Sequence, residues 1–199
     1  MKRIISTILT LLLCFLTLTF VACSSESQLH NQIAPAELSD VQLDNLDFVV
    51  SGRVGVFDFQ VDDTFDTLTV YIDTFRNGEL IQTAMEMELP FPQPRLSTPG
   101  RMAIIIPNDP HTLEFVVQQG TATWRHYFHS DTEPNGYGMR AYSSIIDPVD
   151  IALDADIVLL ARTFGSGTML NPNDLQTILT DSDTIARFPL VYVIRVRFS

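Results

Sequence analysis

The chain has 199 residues, with 24 acidic against 12 basic side chains and a formal net charge of −12. A surface of that sign repels phosphate backbones and anionic head groups, which argues against a nucleic-acid partner or a polybasic membrane contact and favours cations or basic partners. Beyond Arg3 every positive charge is an arginine, so lysine Schiff-base chemistry and a Gly-Lys-Ser/Thr phosphate loop are excluded, and no residue pattern calls for an organic cofactor.

Lys2 and Arg3 precede an apolar stretch from Ile4 to Val21, and the sequence there ends Phe20-Val21-Ala22-Cys23. Positive start, apolar middle and small-residue end are the layout of an export signal. The last four residues resemble the lipobox of bacterial lipoproteins, with Phe20 where leucine is commonest. That resemblance implies cleavage after Ala22, lipid on Cys23, and an extracytoplasmic chain held to the cell membrane, or to the outer one where a cell has two. An uncleaved membrane helix is the competing reading, since the stretch approaches bilayer length. A plain anchor, however, has no use for a small residue followed by cysteine. Removing the first 22 of 199 residues leaves 177, enough for one domain, whose ten arginines against 24 acids give a net charge of −14. Cys14 leaves with the signal and Cys23 takes the lipid, so no disulfide remains and stability must come from packing.

Residues 1–22 thus read as signal, 23–44 as a lipidated start and flexible spacer rich in Ser, Gln, Asn and acids, and 45–199 as the folded domain. From there Val, Ile, Phe, Tyr and Thr alternate with polar residues between Gly, Pro, Asn and Asp punctuation, an all-β signature. A strand is expected over 48–61. A hairpin over 67–89 turns at Asn77-Gly78, the dipeptide suited to a type I′ turn. Pairing Arg76 with Glu79 sets Leu68 opposite Met87, Val70 opposite Met85, Ile72 opposite Thr83 and Thr74 opposite Ile81. The other face, with Thr69, Asp73, Gln82 and Glu86, is then polar and water-facing. Pro90, Pro92 and Pro94 end that hairpin and mark a crossover between sheets.

Further along, a strand is expected over 101–106. A second hairpin joins 112–117 to 121–128 through Gln119-Gly120, with Phe115 opposite Trp124, Leu113 opposite His126, Val117 opposite Ala122 and Glu114 facing Arg125. Strands over 139–146, 156–164 and 190–198 follow, and Asn173 is placed to cap a short helix over 174–180. Seven or eight strands make a single antiparallel β-sandwich.

Several groups are candidates for chemistry. His126 and His129 are close in sequence, with His111 before the same hairpin, but residues three apart on a strand point to opposite faces, which argues against a shared metal. Asp131-Thr132-Glu133-Pro134-Asn135-Gly136 starts like a calcium loop, yet Pro134 sits inside it and Tyr142 stands where a bidentate Glu is needed, so a turn is the better reading. Calcium in another geometry is left to the aspartates at 62, 63 and 66 and those at 147, 150, 154 and 156. Ser166, in Gly165-Ser166-Gly167, lacks the spacing of a nucleophile elbow, and no carboxylate pair stands out for glycoside hydrolysis. Alternation turns Trp124 and Phe128 inward and leaves Tyr127, Tyr137 and Tyr142 as the candidate exposed binding patch.

The strand-turn-strand over 67–89, with Arg76-Asn77-Gly78-Glu79-Leu80 at its turn, resembles small β-sandwich lipoproteins of unassigned role on Gram-positive cell surfaces. The resemblance implies an immunoglobulin-like arrangement and no particular activity. The expectation is a non-catalytic, lipid-anchored cell-envelope module binding a protein, glycan or cation. The alternatives are a small envelope hydrolase using carboxylates or Ser166, and a calcium-dependent binding module.

Overall fold

The alternating segments form eleven strands among the residues that the computed structural model describes, namely 30–42, 52–91, 99–107, 111–129, 140–165 and 170–199. In chain order they are Gln32–Pro35 (β1), Gly52–Gln60 (β2), Thr67–Arg76 (β3), Glu79–Pro90 (β4), Gly100–Pro107 (β5) and Thr112–Gln119 (β6). Ala122–His129 (β7), Arg140–Ser144 (β8), Val149–Asp150 (β9), Asp156–Phe164 (β10) and Leu190–Phe198 (β11) complete them. They build a six-stranded sheet in the order β7-β6-β5-β2-β1-β9 and a five-stranded sheet in the order β4-β3-β11-β10-β8. Every pairing is antiparallel. The protein is an all-β sandwich, and its immunoglobulin likeness holds at the level of two packed antiparallel sheets. Eleven strands exceed the seven or eight expected in part because β1 and β9, at four and two residues, are too short to display a period.

The spacer reading of 23–44 fails at β1. Gln32–Pro35 pairs with β2 on one side and β9 on the other, and Ile33 between them is fully buried. Two apolar residues carry no periodic signal, so only their partners define this strand.

Both hairpins form, each with a corrected register. In the first, Asn77 at φ 51° and Gly78 at φ 88° make the two-residue turn, and Arg76 pairs with Glu79. Two β-bulges in the edge strand β4, at Ile81 and Glu86, then move the pairing along by one residue each. Ile72 faces Ala84 and Thr74 faces Gln82, while Val70 meets Met87 and Leu68 meets Leu89. Ile81 is consequently 47% exposed. In the second hairpin the loop is Gly120-Thr121, because a type II′ turn takes glycine at its first central position and Gly120 has φ 57°. The register therefore slides by two: Phe115 pairs with His126, Leu113 with Phe128 and Val117 with Trp124. An even slide preserves the faces, so Phe128 is buried and Trp124 packs on the core as expected.

The sandwich interior has two contrasting ends. At one, Phe59, Phe65 and Phe91 gather on Phe198 with ring centroids 5.6–6.3 Å from it, the favoured range for aromatic pairs. Gly100 makes room there, since a Cβ on it would fall 2.1 Å from the Phe59 ring. At the other end, six residues back along β2, Arg53 and the β8–β10 pair Tyr142 and Arg162 take the place of the phenylalanines.

Part of the second face of the five-stranded sheet is shielded from water. Residues 170–189 lie against it, with Leu170, Leu175, Ile178, Ile185 and Phe188 in the core. Asn171, rather than Asn173, caps the 3-10 turn Pro172–Thr177, accepting from the Asn173 amide at 3.2 Å, with Pro172 in the first turn, where a missing N–H costs nothing. Asp181 caps a second short helix, Ser182–Ala186 (α1), through the Thr184 amide. The water-facing assignment of Thr69 and Asp73 also fails, since both are buried, Asp73 beneath hydrogen bonds from Arg195 and Thr83.

If β1 belongs to the core, Ile33→Ala removes a fully buried side chain and should lower stability by about 2–4 kcal/mol. Urea unfolding of the variant measures this. An unchanged midpoint would return the segment to the status of a tether.

Candidate functional site

Of the three tyrosines expected to share a patch, Tyr127 and Tyr142 lie among the described residues, and they are far apart in the topology. Tyr127 is 62% exposed on β7, at one edge of the six-stranded sheet. Tyr142 is on β8, an edge of the other sheet, turned inward and packed against the core. Its ring lies 5.4 Å from the Arg53 guanidinium and 5.6 Å from that of Arg162, so its π-face is already engaged. Tyr137, Ser166, the loop 131–136 and Cys23 lie outside the described residues.

What the register assembles around Tyr127 is a face. The outward residues of β2, β5, β6 and β7 fall into three cross-strand rows: Asp58-Arg101-Gln118-Thr123, Val56-Ala103-Val116-Arg125 and Val54-Ile105-Glu114-Tyr127. Val54, Val56, Ala103, Ile105 and Val116 form an apolar stripe, each half-buried by its neighbours. The charges beside the stripe neutralise one another. Arg101 grips Asp58 through two hydrogen bonds of 2.6 and 2.8 Å, which raises the arginine pKa and fixes both side chains. Arg125 approaches Glu114 at 2.9 Å in a geometry that is Coulombic rather than hydrogen bonding. A signal for the stripe is present in β5, where Met102 to Ile106 is apolar at every position, a run that fits two water-avoiding faces better than one.

The polar residues elsewhere serve the fold. On the covered side of the five-stranded sheet, Asp73 accepts from Arg195 Nε at 2.7 Å and from Thr83 Oγ1 at 2.6 Å, and Arg195 Nη1 reaches Asp156 at 2.7 Å. Arg197 holds the same Asp156 through two bonds of 3.0 Å, and the Arg195 guanidinium stacks 4.2 Å from the Tyr71 ring centre. Burial opposes the Arg195 charge, but the bonds and fields of Asp73 and Asp156 outweigh it and leave its pKa above the ordinary value. Arg162, fully buried, is pushed the other way by desolvation, with Tyr142 and Phe164 flanking it.

Three of the aspartates that are candidates for calcium are held by separate protein partners. Asp62 binds Asn31 and Thr64, Asp150 binds Gln32, and Asp156 binds the two arginines. Among the described residues no group of three or more His, Cys, Asp or Glu is placed to hold a metal. No helix there is long and apolar enough to cross a membrane. A cleft of about 490 Å³ opens where β1 ends beside β2, between Pro35, Ala36, Val54 and Ser144; Arg53 is its one ionisable wall residue.

Comparison with known proteins adds no assignment: no family model, no curated protein and no solved structure matches the chain.

Asp73→Ala would strand Arg195 in a buried setting and should cost about 3–5 kcal/mol, whereas Asp73→Leu combined with Arg195→Met should be close to neutral. Urea unfolding at neutral pH separates the two. Asp62 makes a pH-dependent contribution: the Asn31 bond first, then those of Thr64, hold its pKa at about 2. Folded pKa lies below the unfolded value near 3.9, so the stabilisation is complete above about pH 4 and disappears as pH falls toward 2. Asn31→Ala should move the Asp62 titration upward, as read by carboxylate NMR shifts.

Proposed function

We propose that the protein is a non-catalytic cell-envelope module, lipid-anchored through Cys23, that docks a protein partner on the outward face of its six-stranded sheet. The observation that carries this reading is the half-buried apolar stripe of Val54, Val56, Ala103, Ile105 and Val116 beside the exposed Tyr127. Apolar centres with aromatic residues and few uncompensated charges distinguish protein interfaces from ordinary surface. Because Asp58–Arg101 and Glu114–Arg125 are already paired, burying the stripe leaves no lone charge opposite it. The net charge of −12 makes a partner with a neutral or basic rim the electrostatically favoured one. The anchor rests on the Phe20-Val21-Ala22-Cys23 ending, which supports export and lipidation.

Two experiments test the two halves. Cys23→Ser should abolish fatty-acid labelling of the chain and release it from the membrane fraction. Persistence in the membrane without label would instead identify an uncleaved helix. For the face, crosslinking on intact cells should capture a protein with the native chain, and Val116→Arg or Tyr127→Ala should reduce that capture by about tenfold or more, the loss expected when a central interface residue is spoiled. Undiminished capture by both variants would place the interface elsewhere.

A further inference from the structure

His126 and His129, neighbours in sequence, are separated by the strand that carries them. His126 turns inward opposite Phe115, and His129 turns outward at the end of β7. The fold supplies a different companion. Thr112 is the cross-strand partner of His129, and the residue before it, His111, brings its ring to 5.9 Å from the His129 ring, centre to centre, with the planes 30° apart.

We propose that His111 and His129 form a two-histidine site for a divalent transition-metal ion of the Cu2+, Ni2+ or Zn2+ class. Metal–imidazole bonds of about 2.0–2.1 Å put the centres of two rings on one ion roughly 4.5–6.4 Å apart as the angle at the metal opens from square to linear. The observed 5.9 Å falls inside that span. The β6–β7 ladder fixes the backbone of His129 and of Thr112 next to His111, so little ordering is needed for both rings to reach one ion. Imidazole nitrogen suits these ions and discriminates against calcium and magnesium, which take oxygen. The chain's net charge of −12 raises the local concentration of any cation.

The site is tested on the full-length, detergent-solubilised protein titrated with Cu2+, Ni2+ and Zn2+ by calorimetry, with electron paramagnetic resonance of the copper form. One ion per chain is expected, tightest for Cu2+, with coupling to two imidazole nitrogens. His111→Ala and His129→Ala should each weaken Cu2+ binding by about tenfold or more and each remove one nitrogen coupling. His30→Ala, at an exposed position outside the hairpin, should change neither. Acidification should release the ion, because imidazolium is not a ligand. Absence of stoichiometric binding, or full affinity in either hairpin variant, would overturn the site.

Discussion

The last strand of the chain is out of water on both of its faces, and most of the structure can be understood as the means of keeping it there. One face of β11 lies in the sandwich interior, where Ile194, Val196 and Phe198 have no exposure. The other needs a lid of its own, because a strand of Leu190-Val191-Tyr192-Val193-Ile194 leaves no polar side to give to solvent. Residues 170–189 provide that lid where the second face is apolar. Where it is not, Arg195 is sealed by Asp73, Asp156, Thr83 and the ring of Tyr71. A charged residue in a buried strand thus dictates the identity of residues on the strands to either side. Such a lattice is poor evidence of great stability, but it is intolerant of losing one member.

The same logic separates the two ends of the interior. The phenylalanine end is sealed by shape and dispersion, with Ser199 clasped to Thr67 by a pair of backbone hydrogen bonds. The arginine end is sealed by cations over aromatic rings, an arrangement that keeps a guanidinium charged in a place where lysine would lose its proton. The absence of lysine after residue 2 is consistent with this use of arginine, although it does not require it.

Much of this was legible in the sequence, and the misses have physical causes. The all-β class, the Asn77-Gly78 turn and the spans of β10 and β11 followed from period and turn chemistry. Register did not, because bulges at Ile81 and Glu86 add residues that no local rule announces, and because the choice between Gln119-Gly120 and Gly120-Thr121 depends on which central position the glycine fills. Asp73 looked like a solvent residue because alternation reports which residues share a face and is silent on what covers that face. The tyrosines were grouped by proximity in sequence, and two of them ended on different sheets. Of the two described tyrosines, Tyr127 is turned outward and Tyr142 inward. The His111–His129 meeting depends on the hairpin register, so it was beyond reach until that register was known.

The position of β1 fixes the end of the sandwich from which the preceding chain departs. Eight residues separate Cys23 from Gln32, a reach of about 30 Å at most when fully extended. With the lipid on Cys23 as proposed, the end of the sandwich nearest the bilayer is the one where Gln32 lies between Gln60 and Asp150, beside the loop of Asp62 and Asp63 and the turn of Asp154. At full extension those carboxylates would stand a few Debye lengths from the head groups, so salt would screen most of the repulsion between them. The Asn77-Gly78 turn and the open end of the β6–β7 hairpin lie at the opposite end of the sandwich, so an anchor at Cys23 would leave both pointing away from the bilayer.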